Sequence, residues 1–150
     1  MQWQLNGYEV DTDADRIDLD RIHAFLQETY WAAHRTRAEI EMAWRNSNLL
    51  FGLYCLQPGH PLVGCARVVT DGVTFGWLAD VYVDPRHRGR GLGKFLLECV
   101  THEPLCKKLT LFHLGTRDAH GLYRQYGWET LPANERWMLR ATSESVLTQT

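Results

Sequence analysis

Three apolar runs of strand length follow one another between residues 49 and 83, and this feature most restricts how the chain can fold. The runs cover residues 49–56, 62–69 and 75–83. Pro and Gly residues within 57–61 and the pair Asp71-Gly72 are typical of turns between them. Strands joined by such short turns pair with their neighbours in the antiparallel sense. The pattern therefore predicts an antiparallel meander of three strands.

The apolar spacing becomes helical after Asp84-Pro85. Apolar residues then recur at intervals of three and four, at Leu92, Phe95, Leu96, Cys99 and Val100. Pro104 ends this helix, and residues 109–114 form the next predicted strand. A strand, a helix and a strand in succession predict a right-handed crossover and a parallel pair. The predicted fold class is therefore α+β, a mixed sheet in which the antiparallel meander is followed by this crossover, with one central parallel pair and helices on both faces.

Two further helices are predicted before the meander. Asp18 caps the first, which runs toward Tyr30 and whose apolar face comprises Leu19, Ile22, Phe25 and Leu26. Thr36 and Glu39 have the spacing of a capping box and begin the second, whose inner face comprises Ile40, Ala43 and Trp44.

Shorter elements complete the prediction. Residues 8–10 are a first strand, residues 119–126 a short helix closed by Gly127, and residues 137–140 a final strand. Because the chain shows no internal repeat, low-complexity stretch or linker, it is expected to form a single domain over residues 1–150.

Composition excludes several classes of function. Sixteen basic and eighteen acidic side chains give a formal net charge of −2, whereas a general nucleic-acid binder carries a basic excess. No apolar run is long enough to span a bilayer, and the polar start differs from a signal peptide, so a cytoplasmic protein is expected. The cysteines and histidines lack metal-ligand spacing, so no metal is expected. Buried thiols are predicted for Cys55, Cys65, Cys99 and Cys106.

A glycine-rich loop with basic side chains lies between the third meander strand and the following helix. Gly89, Gly91 and Gly93 leave backbone N–H groups open at the start of the helix, which is a ready site for an anion. A Walker loop does not fit, since Arg88 and Phe95 stand at its first glycine and its hydroxyl positions. A dinucleotide fingerprint fails as well, because its last glycine position holds a lysine. The loop predicts a ligand with phosphate groups.

Two segments resemble the signatures of the GNAT superfamily of N-acetyltransferases. Residues 88–93, Arg-Gly-Arg-Gly-Leu-Gly, resemble its R/Q-x-x-G-x-G/A motif, and residues 80–85 resemble the strand that leads into it. Residues 119–128 resemble its second motif, A-x-x-L-Y-x-x-x-G-F. Thr116, where the family often has asparagine, and Trp128, where phenylalanine is usual, depart from the family pattern.

The resemblance implies a cofactor and a reaction. The cofactor would be acetyl-CoA, its acetyl group passing directly to a primary amine of a small molecule or a protein, with CoA as product. The implied cofactor-binding residues are Val81, Tyr82, Val83, Arg88, Gly89, Arg90, Gly91, Leu92, Gly93, Lys94, Thr116, His120 and Tyr123. A non-catalytic module that senses acyl-CoA is the alternative, and exposed strands are compatible with a homodimer.

Two residues are predicted to be catalytic. Tyr123 stands at the tyrosine position of the family, and a phenol can protonate a departing thiolate at small cost. Asp80, near the thioester end of the cofactor strand, is either a base that deprotonates the amine or an anchor for the substrate ammonium. For the acceptor site, Tyr30, Trp31, Trp77 and Asp80, together with Glu28, form an aromatic and acidic set that suits a cationic amine. The alternative is that these aromatic residues pack in the core.

Overall fold

The computed structural model describes residues 1–132 and 136–141. The chain divides into two compact units, Met1–Leu114, which contains the whole sheet, and Gly115–Thr150. The single domain over residues 1–150 stays a prediction.

Six strands form one mixed sheet in the first unit. They are β1 (Gln2–Leu5), β2 (Tyr8–Asp11), β3 (Leu49–Cys55), β4 (Leu62–Thr70), β5 (Phe75–Val83) and β6 (Leu111–Leu114). Their order in the sheet is the chain order, with antiparallel pairing from β1 to β5 and parallel pairing between β5 and β6. The predicted meander and the predicted parallel pair are therefore confirmed.

The parallel pair lies at one end of the sheet. Within the described ranges no strand follows β6 in the sheet, so the pair does not have the central place that the sequence predicted. Residues 137–140, predicted to be the final strand, are not a strand in the structure. Met138 and Leu139 are 96% and 66% exposed, so the apolar residues of this segment do not form the buried face that its pattern suggested.

The hairpin of β1 and β2 was only half predicted. Asn6 and Gly7 both have positive φ, 46° and 81°, as a two-residue type I′ turn requires. The first strand escaped prediction because Gln2–Leu5 is only four residues long and largely exposed, too short for its alternation to indicate a strand.

The described residues also form four α-helices: α1 (Leu19–Gln27), α2 (Arg37–Arg45), α3 (Leu92–His102) and α4 (His120–Arg124). The Asp18 carboxylate accepts from the backbone N–H groups of Asp20 and Arg21 at the start of α1. Thr36 and Glu39 form the predicted capping box at the start of α2. Both predicted helix starts are therefore confirmed.

The helices cover both faces of the sheet. Apolar residues of α1 and α2 form one core cluster with the sheet residues Tyr54, Leu62, Cys65 and Tyr82. The buried residues of α3 lie outside that cluster, although α3 contacts β3 and β5. Because neighbouring residues of a strand face opposite sides, α3 packs on the other face.

All four cysteines are buried and unpaired, as predicted. Burial raises the pKa of the Cys99 and Cys106 thiols to about 12, so neither is a thiolate at neutral pH. In the part of the chain that the structure describes, no helix combines the length and the apolar character needed to cross a membrane.

Candidate active site

The glycine-rich loop connects the end of β5 to the start of α3. Asp84 ends the strand and begins a short 3₁₀ turn, Pro85–His87, by accepting from the backbone N–H of Arg86. The Arg86 guanidinium also donates to the Asp84 carboxylate and holds the pKa of that carboxyl at about 2. The loop therefore begins at an aspartate that is ionised and held in place by hydrogen bonds.

Gly89 and Gly91 give the loop its open backbone. Their φ angles are +75° and +74°, in the left-handed region that glycine adopts without strain. A Cβ built at either position meets no atom within 4 Å, so the space beside the loop is open. Gly91 caps α3 without any side-chain hydrogen bond, and no acidic residue stands in the first turn. The N-terminus of α3 therefore presents its backbone N–H groups and its positive dipole end to an incoming anion.

Three exposed cations surround this helix start: Arg88, Arg90 and Lys94. The Arg88 Nε donates to the Val83 carbonyl at 2.8 Å, and its guanidinium lies 5.5 Å from the centre of the Tyr82 ring. The Arg90 Nη1 donates to the Tyr8 hydroxyl at 2.8 Å. Two of the three cations are thus held in place before any ligand binds.

Tyr8 on β2 contacts the glycine-rich loop, which follows β5. Its ring is buried, and its hydroxyl lies 3.0 Å from His87 Nδ1 as well as bonding Arg90. No local spacing could predict this contact, since Tyr8 and Arg90 are 82 positions apart. The structure therefore adds Tyr8 as a residue that positions the loop.

One edge of β5 is open where the strand approaches the loop. Pairing between β5 and β6 ends at Leu78 and Leu114, while β5 continues to Val83. The β6-facing edge of residues 79–83 consequently has no strand of the described sheet paired to it. Backbone groups at such an edge can pair with an extended ligand.

Asp80 lies in a β-bulge at the start of this open stretch. Opposite Cys65 and Arg67 of β4, β5 contains one extra residue between Ala79 and Tyr82. Asp80 takes a φ of +53° there, which aspartate tolerates better than most residues. The bulge changes the face on which the following side chains lie, and it brings the Asp80 side chain to the face covered by α1 and α2.

The Asp80 carboxylate is surrounded by donors. The Arg67 Nε donates to its Oδ2 at 2.6 Å, the Arg35 Nη1 to its Oδ1 at 3.1 Å, and the Trp31 Nε1 to its Oδ1 at 3.1 Å. The Asp80 side chain is only 1% exposed. Arg67 also donates to the Ser47 hydroxyl at 3.2 Å, which ties the group to the end of α2. We call Trp31, Arg35, Arg67 and Asp80 the Asp80 cluster.

A cleft of about 270 Å³ opens between α1 and the end of β5. Its lining includes Phe25, which stacks on Tyr82 with ring centres 4.9 Å apart, and Glu28, which accepts from the Tyr82 hydroxyl at 2.7 Å. Burial, reinforced by this bond to Glu28, raises the pKa of Tyr82 well above its ordinary value, so the phenol stays protonated.

A sequence model described as the acetyltransferase (GNAT) domain matches residues 51–130, more than half of the chain. The chain belongs to the GNAT family. The match includes β3 to β6, the glycine loop, α3 and α4, so the resemblance of the two sequence motifs is confirmed.

Other proteins of this kind are similar over much of the GNAT chain. A crystal structure from Xanthomonas campestris pv. campestris, assigned to the GNAT family of acetyltransferases, is 36% identical and covers 93% of this chain and 96% of its own, with a TM-score of 0.85. A protein from Gibberella zeae assigned as an acetyltransferase is 34% identical over 113 residues, 64% of this chain and 63% of that relative. A Clostridium acetobutylicum protein solved with acetyl-CoA is 15% identical over 89% of this chain and 94% of its own, with a TM-score of 0.64, and shares the fold. The chain thus spans less than two thirds of the length of this Gibberella protein.

The second GNAT motif lies in the unit Gly115–Thr150. The Thr116 hydroxyl accepts from the Ala119 backbone N–H at 3.1 Å and closes the turn before α4. Tyr123 on α4 is 9% exposed, and its ring stands edge-on to Trp128 at 6.0 Å. Gly127 has a φ of +91°, as the predicted left-handed helix cap requires. Thr116, His120 and Tyr123 stay predictions as cofactor-binding residues.

The structure brings only part of the predicted acceptor site together. Trp31 bonds Asp80, and Tyr30 stands edge-on to Trp31 with ring centres 5.0 Å apart. Trp77 lies three residues before Asp80 on β5, opposite Val69, and is 41% exposed. Sequence reasoning missed Arg35 and Arg67, although a single arginine inside the apolar strand β4 was a signal that a buried counter-charge exists.

Proposed function

We propose that this GNAT protein is an N-acetyltransferase that transfers the acetyl group of acetyl-CoA directly to a primary amine. The observation that carries the proposal is the glycine loop at the N-terminus of α3. Its left-handed glycines leave open space, and exposed cations stand beside the uncapped helix start. These are the features that bind a pyrophosphate.

The residues of the first unit fit acetyl-CoA. The backbone N–H groups from Arg88 to Lys94 suit the pyrophosphate, with Arg88, Arg90 and Lys94 as counter-charges. The open edge of residues Val81, Tyr82 and Val83 suits the amide groups of the pantetheine arm, which pair as a strand would. When bound, acetyl-CoA supplies the acetyl group as a thioester.

Binding and turnover together test the proposal. CoA at 100 times its Kd should stabilise the folded protein by about 2.7 kcal/mol, because the loop exists only in the folded state. Thermal unfolding with and without CoA measures the shift, and thiol release over a panel of amines measures the transfer. CoA binding without transfer to any amine would favour the sensor alternative instead. Absence of CoA binding would contradict both the acetyltransferase and the sensor.

Tyr8 is expected to set the affinity of the loop through Arg90. Tyr8→Phe removes the hydroxyl that holds the guanidinium and keeps the ring, so Arg90 has to be ordered when CoA binds. A hydrogen bond to a charged group contributes about 1.5–3 kcal/mol at most, and we expect a Kd for CoA that rises roughly 3- to 10-fold. Isothermal titration calorimetry measures this. Tyr54→Phe, which removes a hydroxyl bonded to the Arg16 carbonyl, is the control and should leave the Kd unchanged.

For Asp80 we propose a positioning role rather than that of a base. Three side chains donate to its carboxylate, so both oxygens are engaged, and the side chain is only 1% exposed. A base has to contact the amine whose proton it takes, and the bound donors and the burial of this carboxylate leave no such access. The two guanidiniums also neutralise the charge that would attract a substrate ammonium. The Asp80 carboxylate therefore serves to hold Trp31, Arg35 and Arg67 in one arrangement.

Asp80→Asn should lower stability by about 3 kcal/mol, since it leaves two arginines without their counter-charge. We expect Tm to fall by roughly 6–12 °C and the acceptor KM to rise, while the acidic limb of the pH–rate profile stays in place. Differential scanning calorimetry and steady-state kinetics measure these. Asp20→Asn, at a carboxylate that is 87% exposed, is the control and should change stability by about 1 kcal/mol or less. A loss of the acidic limb in Asp80→Asn at unchanged stability would restore the role of a base.

Tyr123 is proposed to supply the proton that the leaving group needs. As the amine nitrogen bonds the acetyl carbon and the C–S bond breaks, the phenol would donate its proton to the sulfur, so that CoA leaves as a neutral thiol. The proton that the amine nitrogen loses would pass to water, and the phenolate would regain a proton from water.

A further inference from the structure

The Asp80 cluster carries one more positive charge than negative charge. Two guanidiniums, those of Arg35 and Arg67, share the single carboxylate of Asp80, and the other hydrogen-bond partners in the group, Trp31 and Ser47, are neutral. The nearby carboxylate of Glu39 interacts electrostatically with Arg35 but is bonded to Thr36 rather than to the guanidinium. Guanidinium donors that no carboxylate bonds can pair with a second anion.

The Arg35 guanidinium has free donors for such an anion. In residues 1–132 and 136–141 it bonds Asp80 through Nη1 alone, which leaves Nε and Nη2 without a protein acceptor. The Arg35 side chain is 29% exposed, whereas that of Arg67 is 12% exposed. Of the two arginines, Arg35 is therefore the one that a ligand reaches more readily, and Asp80 fixes it in place.

An apolar surface adjoins the cluster on the same face of the sheet. Arg67 pairs with Ala79, and Val69, two residues later on β4, pairs with Trp77, two residues earlier on β5. Residues two apart on a strand face the same side, so Val69 and Trp77 lie on the face that carries Arg67. They are 39% and 41% exposed. A ligand that pairs with the arginines can place an apolar group here.

The cluster also lies where the acceptor has to arrive. Asp80 directly precedes Val81–Val83, the stretch proposed above to bind the pantetheine arm. An amine that attacks the thioester has to approach the beginning of this stretch, which is beside Asp80 and its arginines. The inference drawn from this position rests on the proposed function.

We propose that the acceptor is a primary amine that also carries a carboxylate, such as an amino acid with an apolar side chain. Arg35 binds the carboxylate through its free donors, and Val69 and Trp77 contact the apolar part. A guanidinium with free donors selects such a molecule over a purely cationic amine. The sequence predicted an aromatic and acidic site for a cationic acceptor. The structure instead favours an acceptor that carries a negatively charged group.

A panel of matched amines tests the proposal. Each apolar amino acid is assayed beside its carboxamide and its decarboxylated amine, which differ from it only at the carboxylate. We expect kcat/KM for the best acid to exceed that for its carboxamide at least tenfold, as for a charge-assisted pair. In Arg35→Gln this preference should fall below about threefold, and Arg35→Lys should keep part of it. Arg37→Gln, at an arginine that pairs with Asp20 and Glu41, is the control and should keep the preference.

A binding experiment separates this inference from the proposed function. The protein saturated with CoA is titrated with the best acid and with its carboxamide, in wild type and in Arg35→Gln. Binding of the acid that depends on Arg35, without acetyl transfer, would support the site and overturn the enzymatic function. Acetyl transfer with no preference for the acid, or with a preference that survives Arg35→Gln, would overturn the inference and leave the acetyltransferase in place.

Discussion

Replacing Gly91 by valine should raise the Kd for CoA at least about 100-fold. Gly91 has a φ of +74°, and an L-residue there is strained by about 1–2 kcal/mol, more when it is β-branched. The added side chain would also enter the open space beside the loop, which a phosphate has to occupy to reach the backbone N–H groups. Isothermal titration calorimetry with CoA measures the loss, and circular dichroism shows whether the variant is folded.

Gly59→Val is the matched control for this strain. Gly59 lies between β3 and β4, has a φ of +88°, and has no atom within 4 Å of a built Cβ. The substitution should cost a similar free energy of folding and leave the Kd for CoA unchanged. A folded Gly91→Val protein that binds CoA as tightly as wild type would show that the loop does not hold the pyrophosphate.

The elements that were predicted well are those whose buried residues recur at a regular spacing in the sequence. Phe75–Val83 was predicted with its observed bounds, and α3 was predicted from apolar residues that the structure buries. The strand Gln2–Leu5 is largely exposed, and its alternation covers only four residues, too few to indicate a strand. The capping box was equally predictable, because Thr36 and Glu39 contact each other and are only three residues apart in the sequence.

The parts of the site that the sequence could not predict depend on contacts between distant segments. Asp80 was found from its place before the glycine loop, but its bulge and its partner Arg35 were not, since no local spacing links them. Successive residues of a strand face opposite sides of the sheet, so one inserted residue moves the side chains of all following residues to the other side. The change in the proposed role of Asp80, from base or anchor to positioning residue, therefore came from the structure alone.

Tyr123→Phe should lower kcat by about 100-fold and change both KM values little. The proposed role of its hydroxyl is to protonate the departing thiolate, a need that arises in the transition state rather than in the bound substrates. Positioned acid catalysis contributes roughly 10²–10⁴-fold, and the lower end is expected because a thiolate leaves partly unaided. The ring against Trp128 is kept, so stability should change by less than about 1 kcal/mol. Steady-state kinetics over pH should also show a shifted basic limb, because the acid has to be protonated to act.

Tyr126→Phe is the matched control, since it removes the same hydroxyl group three residues farther along the chain, directly before Gly127. It should leave kcat within about twofold, as expected for a residue whose ring packs and whose hydroxyl takes no part in the transition state. A folded Tyr123→Phe protein with the kcat of wild type would mean that water or another group protonates the sulfur. A large loss for Tyr126→Phe with none for Tyr123→Phe would transfer the role to Tyr126, because the two variants differ only in which phenol is lost.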